Sequence, residues 1–87
     1  MYLHLGGAVV VPDRTVVGIF DLDNTTASRA TRDFLARAER DQQIVSIGDD
    51  LPRSFLLCRE GGEVTVYLSQ LSSATLLRRL ESGQMGL

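Results

Sequence analysis

Asp21 and Asp23 stand two residues apart where the apolar run Val16-Val17-Gly18-Ile19-Phe20 ends, and Thr25 follows at the same spacing. Residues i and i+2 of an extended chain point to one side, so these two carboxylates can share a divalent cation. That arrangement suits phosphoryl transfer. The first carboxylate attacks phosphorus, the second works as general acid and base, and Mg²⁺ neutralises the phosphate between them. Asp49-Asp50 can supply the further acidic ligands of such a Mg²⁺ site. The other residues suited to chemistry are few. His4, the sole histidine, lies between two leucines on a short apolar run, and no Cys/His spacing suited to zinc exists. Cys58, the sole cysteine, excludes an internal disulfide and reads as a small buried hydrophobe on a strand. Gly6-Gly7 and Gly61-Gly62 fall between apolar runs and not before helices, so they mark turns and not phosphate cradles.

The elements that must position these residues follow from periodicity. Residues 2–5 and 8–11 form two short strands around Gly6-Gly7, and Pro12 bars the second from a central place in a sheet. Residues 14–20 form a β-branched strand, apolar on both faces, which predicts a central strand. Thr25, Thr26 and Ser28 are candidate N-caps of a helix running to about Asp41. Ala30, Phe34, Leu35 and Ala38 share one stripe of that helix, with Arg29, Arg37 and Arg40 opposite and Arg32 flanking them. Ile44, Val45 and Ile47 make a short strand. Residues 54–59 and 64–69 form a hairpin that pairs Phe55 and Leu57 with Val64, Val66 and Leu68 on one face. Ser72 or Ser73 then caps a short helix carrying Leu76, Leu77 and Leu80. The order β-β-β-α-β-β-β-α predicts a small single α+β domain. Its sheet should be mostly antiparallel and curved, with one central helix and a short C-terminal one. The domain spans residues 1–81, and 82–87 are a frayed tail.

Size and charge narrow the function. With 87 residues the chain buries only about 60% of its unfolded surface. A limited core and short unpaired strand edges both favour self-association. No apolar run approaches the roughly 18 residues that span a bilayer, and no basic segment precedes an apolar one at the N-terminus, so no membrane partner is expected. A single cysteine suits a reducing compartment, and the expected location is cytoplasmic. Net charge is −2, and all nine basic residues are arginine, the side chain that grips phosphate and carboxylate in two places.

The Asp21-Leu22-Asp23-Asn24-Thr25 stretch is the nucleophile motif of haloacid-dehalogenase-like phosphotransferases. Their parallel sheet needs several crossover helices, for which this chain is too short, and their phosphate-binding lysine has no counterpart here. A Mg²⁺-dependent phosphotransferase using Asp21 and Asp23 is thus the remote reading. The favoured one is a strand that ends in solvated aspartates, which also suit the start of the next helix.

The whole chain resembles another family. Leu3-His4-Leu5-Gly6-Gly7, Val9-Val10-Val11-Pro12, Ile19-Phe20-Asp21-Leu22-Asp23, Thr31-Arg32-Asp33-Phe34-Leu35, Pro52-Arg53-Ser54-Phe55 and Val66-Tyr67-Leu68-Ser69 occur in the order and spacing of the RemA/RemB extracellular-matrix regulatory proteins, in particular of RemB-like members. The resemblance implies a cytoplasmic, non-enzymatic regulator of biofilm-matrix genes that needs neither metal nor cofactor. It also implies a ring-like homo-oligomer and a DNA partner, because RemA-type members bind DNA through paired arginines on a loop. In this chain Asp49 and Asp50 occupy the places of that pair, and Arg53 retains the last arginine of the loop. Reversed charge turns phosphate attraction into repulsion. The candidate DNA contacts are therefore Arg53, Arg32 and Arg29, outside the acidic pair. The alternative is a structural or protein-binding oligomeric module without DNA affinity.

Overall fold

A computed structural model describes residues 1–23 and 28–82. The tail expected over 82–87 therefore lies, apart from Ser82, outside the described residues, as do the alternative caps Thr25 and Thr26. The order of elements is the one expected. Strands β1 (Tyr2–Gly6) and β2 (Val9–Pro12) are followed by a 3-10 turn (Asp13–Thr15) and β3 (Val16–Asp21). Helix α1 (Arg29–Arg40), β4 (Ile44–Ser46), β5 (Ser54–Glu60), β6 (Glu63–Ser69) and α2 (Ser73–Glu81) complete the chain. The fold is α+β. Its strands divide between the β1-β2 ribbon and a four-stranded sheet of order β3-β5-β6-β4, antiparallel except where β4 runs parallel to β6.

Alternation in β5 and β6 builds two cores, one on each face of the larger sheet. Phe55 pairs with Leu68 and Leu57 with Val66, as the apolar pattern predicts. These residues face α1, where Ala38 and Leu35 complete a cluster. Leu56 and Cys58 point the other way, onto Leu3, Leu5 and Val11 of the ribbon and Leu76 of α2. The result is three layers, with α1 on one side and the ribbon plus α2 on the other.

Both helices start as the sequence indicates. The Ser28 hydroxyl accepts from the Thr31 N–H, and the Ser72 hydroxyl from the Thr75 N–H, each at 3.1 Å. Helix α1 ends in a Schellman turn, with Gln43 donating to the Ala38 carbonyl and Gln42 to that of Glu39. Gln42 there takes a left-handed φ of 59°.

The third strand departs from expectation. Among the described residues it is an edge of the sheet, paired with β5 alone. Apolar residues on both its faces reflect α1 on one side and α2 on the other. Facial hydrophobicity carries no information about who lies beside the strand in the hydrogen-bonding direction. Its first residues are also taken by the 3-10 turn, which Thr15 fixes by donating its hydroxyl to the Pro12 carbonyl at 2.7 Å.

Two fully buried serines, paired across β5 and β6, join the layers. Ser54 donates to the Leu71 carbonyl at 2.8 Å. Ser69 donates to the Leu5 carbonyl at 2.6 Å and accepts from the Leu71 N–H at 3.1 Å, so it ties the ribbon and the turn before α2 to the sheet. Ser69→Ala strands two backbone groups and should cost about 1–3 kcal/mol of unfolding free energy. Urea denaturation followed by circular dichroism measures this, and an unchanged midpoint would refute the assignment.

Burial pushes the Cys58 thiol above its ordinary 9.0, against a smaller lowering by its hydrogen bond with Thr15. Tyr67 is raised too, by burial first and then by the charges of Cys58 and Glu60. Both groups are neutral when protonated and hold that proton more tightly in the folded chain. Their contribution is full below the unfolded pKa values and is lost as pH rises. Stability should therefore decline above pH 9, and less steeply in Cys58→Ala. Equal slopes in urea melts of the two proteins would show that the thiol takes no part.

Candidate functional site

Asp21 and Asp23 meet Arg53 at the end where β3 stops and β5 begins. The Leu22 N–H donates to the Arg53 carbonyl at 2.9 Å, extending the β3-β5 pairing by one residue. Beyond it, the Asp23 N–H donates to Asp21 Oδ1 at 2.7 Å, closing a tight turn of the aspartate type. The Arg53 Nε donates to Asp23 Oδ2 at 2.8 Å, across thirty positions of sequence. The two carboxylates thus have separate work, one bracing its own turn and the other holding a guanidinium. Both partners of the ion pair are half-exposed, so it adds at most about 1 kcal/mol to stability. Its greater effect is to aim the arginine. Among the described residues, no group of three or more His, Cys, Asp or Glu side chains is placed to hold a metal ion.

The loop carrying Asp49 and Asp50 is pinned at both ends to the end of β6. The Ile47 N–H donates to the Leu68 carbonyl at 3.0 Å, and the Arg53 N–H to the Ser69 carbonyl at 2.8 Å. Between them Gly48 adopts a φ of +83°, and a Cβ there would lie 2.4 Å from Gln70 Nε2. Only glycine lets the Gln70 amide cross under the loop to reach the Asp50 carbonyl, at 3.3 Å. Asp49 and Asp50 are exposed at the tip, and next to them Leu51 is 88% exposed.

Arg29 and Arg32 occupy the first turn of α1, which has no acidic residue. Both are exposed. Cations at a helix N-terminus oppose its dipole and cost about 0.3–1 kcal/mol each, so this turn is not composed for stability. The end of β3 lies beside it. Phe20, Ala30, Thr31, Phe34, Phe55 and Leu57 line a shallow cleft of about 220 Å³. In it the Phe20 and Phe55 rings stack at 4.7 Å, and those of Phe34 and Phe55 at 6.1 Å. Arg29 and Arg32 therefore lie towards the end of the sheet from which Arg53 also projects. His4 stands apart, exposed on β1, where its backbone carbonyl accepts from Arg79.

Sequence reasoning had marked the three arginines and the acidic loop. It missed the Asp23–Arg53 pair, which no local spacing encodes, and the exposure of Leu51. A leucine between Asp50 and Pro52, outside every apolar period, was the available signal for the latter.

A scan against protein families finds no match for the chain. It is similar to extracellular matrix regulatory protein B of Bacillus subtilis strain 168, with 33% identity over 81 residues. The match covers 93% of this chain and 91% of that protein. An identity of this size over 93% of the chain shows that the chain belongs to the family of extracellular matrix regulatory protein B.

Proposed function

We propose that this chain is a non-enzymatic regulatory protein of extracellular-matrix genes that acts as a homo-oligomer and contacts DNA weakly through arginines outside its acidic loop. The name of its relative supports the regulatory role. The observation that carries the nucleic-acid part is the first turn of α1, where Arg29 and Arg32 are exposed and stand against the helix dipole. Arg53 is the third contact: Asp23 holds its Nε, and its Nη groups are the donors for a phosphate. Asp49 and Asp50 keep the neighbouring loop away from the duplex backbone. Repeated along an oligomer, a few arginines per subunit add up, because each further contact forms at high effective concentration.

Leu51 favours a second reading. A large apolar side chain, 88% exposed on a loop held by three hydrogen bonds, suits contact with another protein better than contact with phosphate. In that case the chain is a protein-binding module without DNA affinity.

Fluorescence polarisation of a short duplex of arbitrary sequence, between about 50 and 200 mM salt, separates the two. Arg29→Ala with Arg32→Ala should weaken binding and flatten the salt dependence. Asp49→Arg with Asp50→Arg should strengthen it and steepen the slope by roughly 0.9 for each phosphate gained. If neither pair changes the affinity, these surfaces do not face DNA and the protein-binding module is the better account.

A further inference from the structure

Phe20, Phe34 and Phe55 are stacked where the end of β3 meets α1, and two of the three rings reach solvent. Phe20 and Phe55 are partners in the β3-β5 register, and their rings lie 4.7 Å apart at an interplanar angle of 16°. Phe34 of α1 adds a ring 6.1 Å from Phe55, tilted by 27°. Phe55 is buried, whereas Phe20 is 43% and Phe34 38% exposed. The backbone helps to hold the first of these. A Cβ on Gly18 would come within 2.9 Å of Phe20 Cε2 and Cζ, so the ring rests over Gly18 as well as on Phe55. Ala30 and Thr31, with short side chains, line the rest of the cleft beside Leu57. At about 220 Å³ the cleft falls below the roughly 300 Å³ at which sites for drug-sized molecules begin. It suits one flat group laid against an aromatic face.

The charge beside the cleft is positive. Helix α1 carries Arg29, Arg32, Arg37 and Arg40 against Asp33 and Glu39, on a chain whose net charge is −2. Arg29 directly precedes Ala30, and Arg37 stands three positions after Phe34, as its neighbour on the helix surface. Both are exposed, and among the described residues neither enters an ion pair.

We infer that the cleft receives an unpaired nucleobase, stacked on Phe20 or Phe34, while Arg29 and Arg37 meet the adjoining phosphates. The inference rests on the nucleic-acid contact proposed above and narrows its substrate to single strands. Two chemistries must coincide in the ligand, a planar apolar group and anions next to it. An aliphatic side chain of another protein fills the cleft but gives the arginines nothing. A duplex gives the arginines phosphates, but its bases are stacked on one another and offer no free face. A single strand supplies both. Aromatic side chains beside a basic surface are the general means of holding one, and they do so without regard to sequence, because every base has a π-face. Rings already fixed by Phe55 and Gly18 lose little freedom when the base arrives.

Fluorescence polarisation of a labelled strand of about 12 nucleotides tests this on the full chain. The strand should bind about tenfold more tightly than its duplex at the same salt. A fully abasic strand, which keeps every phosphate, should lose that advantage. Phe34→Leu keeps an apolar side chain without the π-face, and Gly18→Ala displaces the Phe20 ring. With circular dichroism unchanged, each should weaken single-strand binding about fivefold or more and leave duplex binding as it was. The chain has no tryptophan, so Phe34→Trp places a single reporter at the cleft. The intact strand should quench its emission, and the abasic strand should not. Equal affinity for intact and abasic strands, or for strand and duplex, overturns the stacking and leaves the phosphate contacts standing. If the bases matter but neither variant weakens binding and the reporter is not quenched, they stack elsewhere and the cleft is overturned. If neither strand nor duplex binds, the nucleic-acid reading falls as well, and the cleft is left to an apolar side chain of another protein.

Discussion

The hydroxyl of Ser69 is the point on which the layers of this fold depend. It bridges the Leu5 carbonyl of the ribbon and the Leu71 N–H of the turn before α2, with no exposure to solvent. A ribbon of two short strands is marginal in water by itself. Leu3, Leu5 and Val11 are buried only because the ribbon lies on Leu56, Cys58 and Leu76. Hydrophobic contact brings the layers together without fixing their relative placement, because it has no direction. The directed bonds of Ser69 and of its cross-strand neighbour Ser54 supply that placement. The same pair sets the site: Ser54, the first residue of β5, follows Arg53, and the Ser69 carbonyl receives the Arg53 N–H. The arginine is placed by the same corner that joins the layers.

Features encoded locally could be read from the sequence, and features set by distant partners could not. The hairpin of β5 and β6 was legible because alternation fixes which residues share a face and Gly61-Gly62 fixes the register. The caps Ser28 and Ser72 were legible as candidates, beside Thr25, Thr26 and Ser73, because an N-cap is a relation between residues three apart. The position of β3 was not. Alternation reports what lies above and below a strand, whereas an edge is defined by what lies beside it. The parallel pairing of β4 with β6 was equally hidden, since three residues carry no sign of direction. Ser54 and Ser69 read as polar strand ends. Only the arrival of Leu5 and Leu71 shows that they are interior bonds.

The acidic pair Asp21 and Asp23 illustrates how one motif serves two chemistries. Two carboxylates at a strand end can hold a cation for phosphoryl transfer, and they can equally brace a turn and hold an arginine. What separates these uses is the third group that converges on them. Here it is the Arg53 guanidinium, which satisfies one carboxylate while the backbone N–H of Asp23 satisfies the other. The loop that brings Arg53 there is held on β6 through Ile47 and Gln70, and Gly48 is the residue that allows it.

On the proposed reading, that pairing also grades the arginines as phosphate ligands. Salt dependence of DNA binding arises because each cation that meets a phosphate releases a condensed counterion. Asp23 already offsets the charge of Arg53 through Nε, so a phosphate met by the Nη groups gains less attraction and releases less counterion. The contact then adds little affinity and little salt dependence, although it can fix where the protein sits. Arg29 has no ion pair among those described. Bringing it to a phosphate relieves its opposition to the helix dipole as well as releasing a counterion, so its contribution is larger. On the proposed reading, a surface of this composition binds weakly, because its most rigidly placed arginine is already engaged, and affinity has to come from repetition across the proposed assembly.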